Sequence, residues 1–313
     1  MRWLGIRGQG IAVQTIFRLD ALRTCVADLK RRGKGPSDGK DRPASLALVP
    51  TMGAIHEGHL ALVREARNHA DLVAVSIFVN PRQFGANEDL DAYPRDLEAD
   101  SALLAAEGVD LLWAPSPDQM YPAGYATNIS VGGVSEGACG ASRPGHFDGV
   151  ATVVCKLFHQ VLPDVALFGE KDWQQLAVIR QMARDLDLTR PHVQAIIAVP
   201  IAREADGLAM SSRNRYLSAE DRSRAVILPQ AMHRCIAAIE RGEPVPAALT
   251  TLHEGLLAGG FSTVDYAELR DAETLAPLAA IGPRPARLLV AARIGGTRLI
   301  DNMPVSEGLS AIP

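Results

Sequence analysis

Two histidines, His56 and His59, stand three residues apart in the stretch Val49-Pro50-Thr51-Met52-Gly53-Ala54-Ile55-His56-Glu57-Gly58-His59-Leu60, where an apolar run gives way to helical spacing. Imidazoles so placed can donate hydrogen bonds to phosphate oxygens and stabilise charge that grows in a transition state. Gly53 and Gly58 let the backbone come close to such an anion. Two further segments carry matching chemistry. Gly169-Glu170-Lys171-Asp172 offers a point charge for a phosphate, with Asp172 and Gly169 suited to ribose hydroxyls or base edges. Met210-Ser211-Ser212-Arg213-Asn214 sets two hydroxyls and a guanidinium in a row, a combination that can clamp a polyphosphate.

The elements that must position these groups follow from periodicity. An apolar strand over 45–49, ended by Pro50, feeds a helix over 60–70 through Leu60, Leu62, Val63 and Ala66. The junction is an anion site, because free N–H groups and the positive end of the helix dipole point outward there. A continuous apolar run over 71–79 reads as a central parallel strand, so strand, helix and strand form a right-handed crossover. Ligands in such sheets bind at the carboxyl ends of the strands, which predicts that residues 80–85 sit beside the histidine loop. A second strand-to-helix junction runs from a strand over 165–168, through Gly169 to Asp172, into a helix over 173–186.

Hydrophobic content of 47% with 22% charged residues is that of a globular chain long enough, at 313 residues, for two cores. A net charge of −4 gives no footprint for nucleic acid or an anionic membrane surface, so phosphate binding must be local. Cys25, Cys139, Cys155 and Cys235 show no metal or disulfide spacing and read as reduced thiols of a cytoplasmic protein. No apolar run approaches the length of a membrane span, and residues 1–13 read as an extension without a signal-peptide pattern.

Along the rest of the chain a helix is expected over 19–32, a polar glycine-rich loop over 33–43, a helix over 101–107 and a strand over 109–114. A glycine-rich segment over 131–145 precedes a helix over 150–162, and a strand over 193–199 ends at Pro200, where the character changes. Beyond it come one helix from Ser218 to about Arg241, a second over 246–257, and strands over 263–269, 287–293 and 297–301, the last pair joined through Gly295-Gly296. The expected architecture is α/β: a Rossmann-like parallel-sheet domain over 1–199 and a smaller α+β domain over 200–313.

Taken together, the histidine stretch, Ile77-Phe78-Val79-Asn80-Pro81-Arg82-Gln83-Phe84, Arg143-Pro144-Gly145-His146-Phe147, Phe168-Gly169-Glu170-Lys171-Asp172-Trp173-Gln174-Gln175-Leu176 and Met210-Ser211-Ser212-Arg213-Asn214 closely resemble the pantothenate synthetase family. The resemblance covers roughly residues 19–305 and rests on several long motifs in the right order. It implies a nucleotidyltransferase fold of the superfamily with HIGH and KMSKS signatures. It also implies ATP- and Mg²⁺-dependent condensation of (R)-pantoate with β-alanine through a pantoyl adenylate, and a homodimer.

Carried over residue by residue, Met52, Gly53, Ala54, Ile55, His56, Glu57, Gly58 and His59 match the segment that wraps ATP. Gly169, Glu170, Lys171 and Asp172 match the nucleotide loop, Ala202 a backbone contact to adenine, and Met210, Ser211, Ser212 and Arg213 the phosphate clamp. His59 matches the histidine named as proton donor, with His56 and Lys171 beside it. A pantoate carboxylate needs no activation at neutral pH, so a charged histidine on the phosphate would suffice. Gln83 and Gln175 match the amides that hold pantoate, with Asn80 adjoining. Arg82 departs from the family, where methionine is frequent. The rival readings are a nucleotidyltransferase acting on a phosphorylated alcohol, an RNA-binding module and a non-catalytic homologue.

Overall fold

The computed structural model describes residues 13–32, 42–85 and 88–305. The expected amino-terminal extension up to residue 12 and the 33–41 part of the polar loop lie outside them. The described chain opens with β1 (Gln14–Ile16), α1 (Leu19–Arg32), β2 (Leu46–Thr51), α2 (Glu57–His69) and β3 (Leu72–Ile77). There follow α3 (Leu97–Ala106), β4 (Leu111–Trp113), α4 (Pro117–Met120), α5 (Ala138–Ser142), α6 (His146–Val161), β5 (Val165–Gly169), α7 (Trp173–Asp185) and β6 (Ile196–Val199).

These six strands form one parallel sheet in the order β1-β4-β3-β2-β5-β6. Both faces are covered, which is why β2 and β3 read as unbroken apolar runs. Leu46 and Leu48 pack with α1, α6 and α7 on one face, while Ala47 and Val49 pack with α2 and α3 on the other. Leu46 and Leu48 are fully buried, each contributing about 1.5–3 kcal/mol. The order reverses between β2 and β5, so the crevice for a ligand opens at their carboxyl ends.

After β6 the chain forms α8 (Ala219–Ala225), α9 (Ile227–Glu240), α10 (Val245–Ala258) and an antiparallel sheet of β7 (Thr263–Asp271), β8 (Ala286–Ile294) and β9 (Thr297–Val305). A separate core joins α8, α9 and α10 to this sheet. Gly295 and Gly296 both have positive φ, as the tight hairpin between β8 and β9 requires.

The α/β architecture is as the sequence predicts, with several local differences. Pro50 does not end β2, which runs on to Thr51; it lies beyond Leu48, the last residue β2 shares with β5, and so holds an edge position on that side. The single helix expected from Ser218 is two, because Pro229 cannot donate and its ring crowds the carbonyl of Ala225, where α8 stops. The glycine-rich segment before residue 145 contains α5, and α6 starts at His146, not at 150. The first residues of the strand expected over 193–199 form a 3-10 turn, Val193–Ala195. The edge strand β1 had no counterpart in the sequence reading.

Candidate active site

The two junctions singled out from the sequence lie at the point where the sheet order reverses. The histidine loop leaves β2, and Gly169 to Asp172 leave the neighbouring β5 as a 3-10 turn. Backbone geometry holds the first loop in a bowed shape. Gly53 and Ala54 have φ of 84° and 52°, and the amides of Ala54 and Ile55 donate to the buried Asp100 carboxylate of α3 at 2.9 and 2.8 Å. Desolvation raises the Asp100 pKa, against those two hydrogen bonds. His56 then caps α2, its Nδ1 accepting from the Gly58 amide at 3.1 Å. A ring that accepts at Nδ1 carries its proton on Nε2 when neutral.

A cavity of about 230 Å³ opens here, lined by Met52, His56, Gly58, His59, Gly169, Lys171, Asp172, Ala202, Met210, Ser211, Ser212 and Arg213, together with Gln83 and Gln175. Other residues of the sequence reading do not reach its wall. Gly53 borders a different hollow, Ala54 and Ile55 are buried, Glu57 pairs with Arg64 on the surface, and Glu170 pairs with Arg287 at 3.0 Å. Asn80 is buried behind Gln83. Arg82 is exposed and turned toward Tyr121, Tyr125 and Asn128, away from the cavity.

Several wall residues carried no assigned role in the sequence reading. Val150, Val153, Val154 and Leu157 of α6 line the cavity at helical spacing, as do Phe84 and Tyr93 from the segment after β3. The α6 stripe has the periodicity of an ordinary core face, and sequence alone cannot separate the two.

The histidines differ from expectation. Burial, followed by the nearby charges of Lys171 and Arg215, depresses His56 to about 4. Burial, with His56 4.1 Å away ring to ring and with Lys171 and Arg215, depresses His59 to about 3. Both rings are therefore neutral at pH 7, not charged, and offer N–H dipoles; positive charge comes from Lys171, Arg143 and Arg213 on the wall and Arg215 close by. His59 Nδ1 is buried with no hydrogen-bond partner among the described residues.

Ion pairs draw the rim together. Arg213 lies on Asp89, and Arg143 lies on Glu88 at 2.6 and 2.5 Å. Burial pushes Glu88 up, but the hydrogen bonds and charge of Arg143 overcome this and hold it at about 2. Tyr93 and Ser212 share a hydrogen bond of 3.3 Å, and the Tyr216 hydroxyl donates to the Ala92 carbonyl. The second sheet reaches in as well. Asn302 of β9 donates from Nδ2 to the carbonyls of Glu170 and Lys171, both at 2.9 Å, and Arg203 forms a two-point pair with the buried Asp301.

The wall is rich in donors, and it presents no cysteine; its serines, Ser211 and Ser212, have no lining carboxylate or imidazole as a hydrogen-bonded base. Such a site suits in-line positioning and charge stabilisation better than covalent catalysis by the protein. Among the described residues, Asp172, 3.7 Å from Lys171, is the one carboxylate on the wall, and no group of three metal ligands occurs. That donor set fits a hard cation carried mainly by phosphates and water. No helix among the described residues is long and apolar enough to cross a membrane.

Comparison with known proteins adds a family. The sequence model for Pantoate-beta-alanine ligase matches residues 17–304. The chain is 68% identical over 293 residues to the pantothenate synthetase of Novosphingobium aromaticivorans, covering 94% of this chain and 99% of that one. It is 56% identical to that of Sphingopyxis alaskensis, covering 94% and 100%. Among solved structures it superposes on the pantothenate synthetase of Thermus thermophilus with a TM-score of 0.82 at 45% identity, covering 94% and 99%. It also superposes on the pantoate-beta-alanine ligase of Francisella tularensis, complexed with beta-gamma ATP and beta-alanine, with a TM-score of 0.74 at 31% identity, covering 93% and 97%.

Proposed function

This chain belongs to the pantoate-β-alanine ligase family, and from that premise we propose that it joins (R)-pantoate to β-alanine at the expense of ATP, giving pantothenate, AMP and diphosphate. The pantoate carboxylate attacks the α-phosphorus, the bond to the bridging oxygen breaks and diphosphate leaves. The β-alanine amine then attacks the acyl carbon of the adenylate, loses a proton and expels AMP.

In this reading ATP lies along the histidine loop, with Lys171 and the Ser211 to Arg213 segment on its phosphates and Ala202 beside the base. Neutral His59 and His56 donate N–H bonds to oxygens that gain charge as the α-phosphorus becomes five-coordinate. Gln83 and Gln175 hold pantoate against the apolar face of α6. Asp172, a carboxylate on the wall, would help to hold a Mg²⁺ ion that, when bound, would neutralise part of the phosphate charge. A cytoplasmic location and a homodimer belong to the same reading, and sedimentation of the purified chain tests the dimer.

The observation that carries the proposal is the sharing of one cavity by a donor-rich loop, a cationic turn, two amides and an apolar wall. The test is diphosphate release from ATP and Mg²⁺ with (R)-pantoate, with and without β-alanine. Turnover that needs pantoate and becomes sustained only with β-alanine is expected. Release with a phosphorylated alcohol, and none with pantoate, overturns the assignment.

A further inference from the structure

Behind the cavity wall, Asn80 is 1% exposed and fully engaged. Its Oδ1 accepts from the Arg82 amide at 3.3 Å and from the Tyr121 hydroxyl at 2.9 Å. Its Nδ2 donates to the Gly149 carbonyl and to Gln83 Oε1, both at 3.0 Å. A backbone N–H can only donate and a backbone carbonyl can only accept, so Arg82 and Gly149 determine which end of the Asn80 amide is oxygen and which is nitrogen. The second Nδ2 proton needs an acceptor, and Gln83 supplies its oxygen. The other end of the Gln83 amide, Nε2, is left toward the cavity, near Met52 Sδ at 3.2 Å.

We propose that Tyr121 and Asn80 are positioning residues that lock Gln83 as a donor-only contact, so that the substrate atom it meets must be an acceptor such as a carboxylate oxygen. An unrestrained glutamine can turn either end to a ligand and discriminates little. This one cannot turn without setting its nitrogen against that of Asn80.

The surroundings hold each link. Gln83 cannot slide, because its carbonyl accepts from His146 Nδ1 at 2.8 Å and Arg143 Nη2 at 3.1 Å. Tyr121 is packed on Tyr125, with the Arg82 guanidinium 5.5 Å from both ring centroids. Burial pushes its hydroxyl pKa up, so it remains a donor to Asn80 through the working pH range. A hydroxyl on the substrate must find its acceptor elsewhere in the cavity.

The proposal rests on Gln83 facing pantoate, and steady-state diphosphate release by the full-length enzyme tests both at once. Asn80→Ala is expected to raise the pantoate KM about tenfold, equivalent to ~1.4 kcal/mol, while the ATP KM moves less than about twofold. Tyr121→Phe, which leaves both backbone partners of Asn80 in place, raises it less. The split between the two KM values is the distinctive readout, and Gln83→Glu tests the donor role of Gln83 itself. As a carboxylate it repels pantoate; protonated, it regains a donor while its other oxygen still accepts from Asn80. Its pantoate KM relative to wild type at the same pH should therefore fall steeply on acidification. A merely structural Asn80 would raise both KM values together, which overturns the lock. If Gln83→Ala alone raises the pantoate KM and Asn80→Ala does not, the lock fails and the pantoate site stands. If neither changes it, both fail. A wild-type enzyme without pantoate-dependent turnover removes the functional reading beneath them.

Discussion

The guanidinium of Arg213 meets the carboxylate of Asp89 edge to edge, with Nε 3.0 Å from Oδ2 and Nη2 2.7 Å from Oδ1, at the rim of the cavity. One edge of the guanidinium, with two of its donors, is thus occupied by a partner of opposite charge. Phosphates that recruit Arg213 must compete with this pair, which is about a quarter exposed on each side. Asp89→Asn is expected to lower the ATP KM about threefold and to weaken its salt dependence, whereas Arg213→Ala raises the ATP KM about tenfold or more. An Asp89→Asn enzyme that binds ATP more weakly would show that Asp89 aims Arg213 instead of restraining it.

His59→Ala should slow adenylate formation by about 10²–10³-fold, the usual cost of losing one preorganised donor to an oxyanion. Its Nδ1 has no partner to orphan, so the melting temperature should move only a few degrees. Single-turnover diphosphate release and a thermal melt read the two effects separately. Near-normal burst rates would remove His59 from the chemistry.

Asp100→Ala leaves the amides of Ala54 and Ile55 without an acceptor. At ~1–3 kcal/mol for each of the two buried unpaired donors, the expected loss of stability is about 2–6 kcal/mol, together with weaker ATP binding. Gly53→Ala attacks the same contact from the other side. Its Cβ would meet Asp100 Oδ2 at 2.9 Å, and at φ 84° a side chain costs about 1–2 kcal/mol besides. Denaturant unfolding of both variants checks this; two wild-type midpoints would mean that the loop does not depend on Asp100.

The depressed histidines predict a specific acid sensitivity. Their folded pKa values, about 4 for His56 and His146 and about 3 for His59, lie below the ordinary 6.5. Between these values the unfolded chain binds protons that the folded chain refuses. The stability they contribute is thus complete above pH 6.5 and is lost as pH falls toward 4 and then 3. Glu88, held at about 2, adds a further loss only below its ordinary 4.5. Unfolding free energy measured from pH 7 to pH 5 should show uptake of up to three protons, reduced in His146→Gln. An inflection in kcat/KM near pH 6.5 assigned to His59 would contradict the neutral ring.

How far the sequence could be read depended on the kind of information each feature needs. The strands β2, β3 and β5 were legible because burial on both faces leaves a continuous apolar run. The break at Val226 was legible in principle from Pro229, but the surrounding helical spacing overrode it. The α6 stripe was not separable from core, because apolar residues facing a cavity and apolar residues facing a sheet have the same period. The neutral state of His59 depends on burial and on Lys171 and Arg215, which come from distant parts of the chain. The orientation of Asn80 depends on Gly149, 69 residues away. Local pattern carries neither.

The grip of Asn302 on the carbonyls of Glu170 and Lys171 has a consequence for biosynthesis of the enzyme itself. The turn bearing Lys171 is encoded in the middle of the chain, yet the side chain that holds it arrives some 130 residues later, in the last described strand. A nascent chain can therefore complete its parallel sheet while the cationic turn is still unsupported. A chain stalled before β9 would thus have its parallel sheet in place while the turn bearing Lys171 lacked both Asn302 contacts.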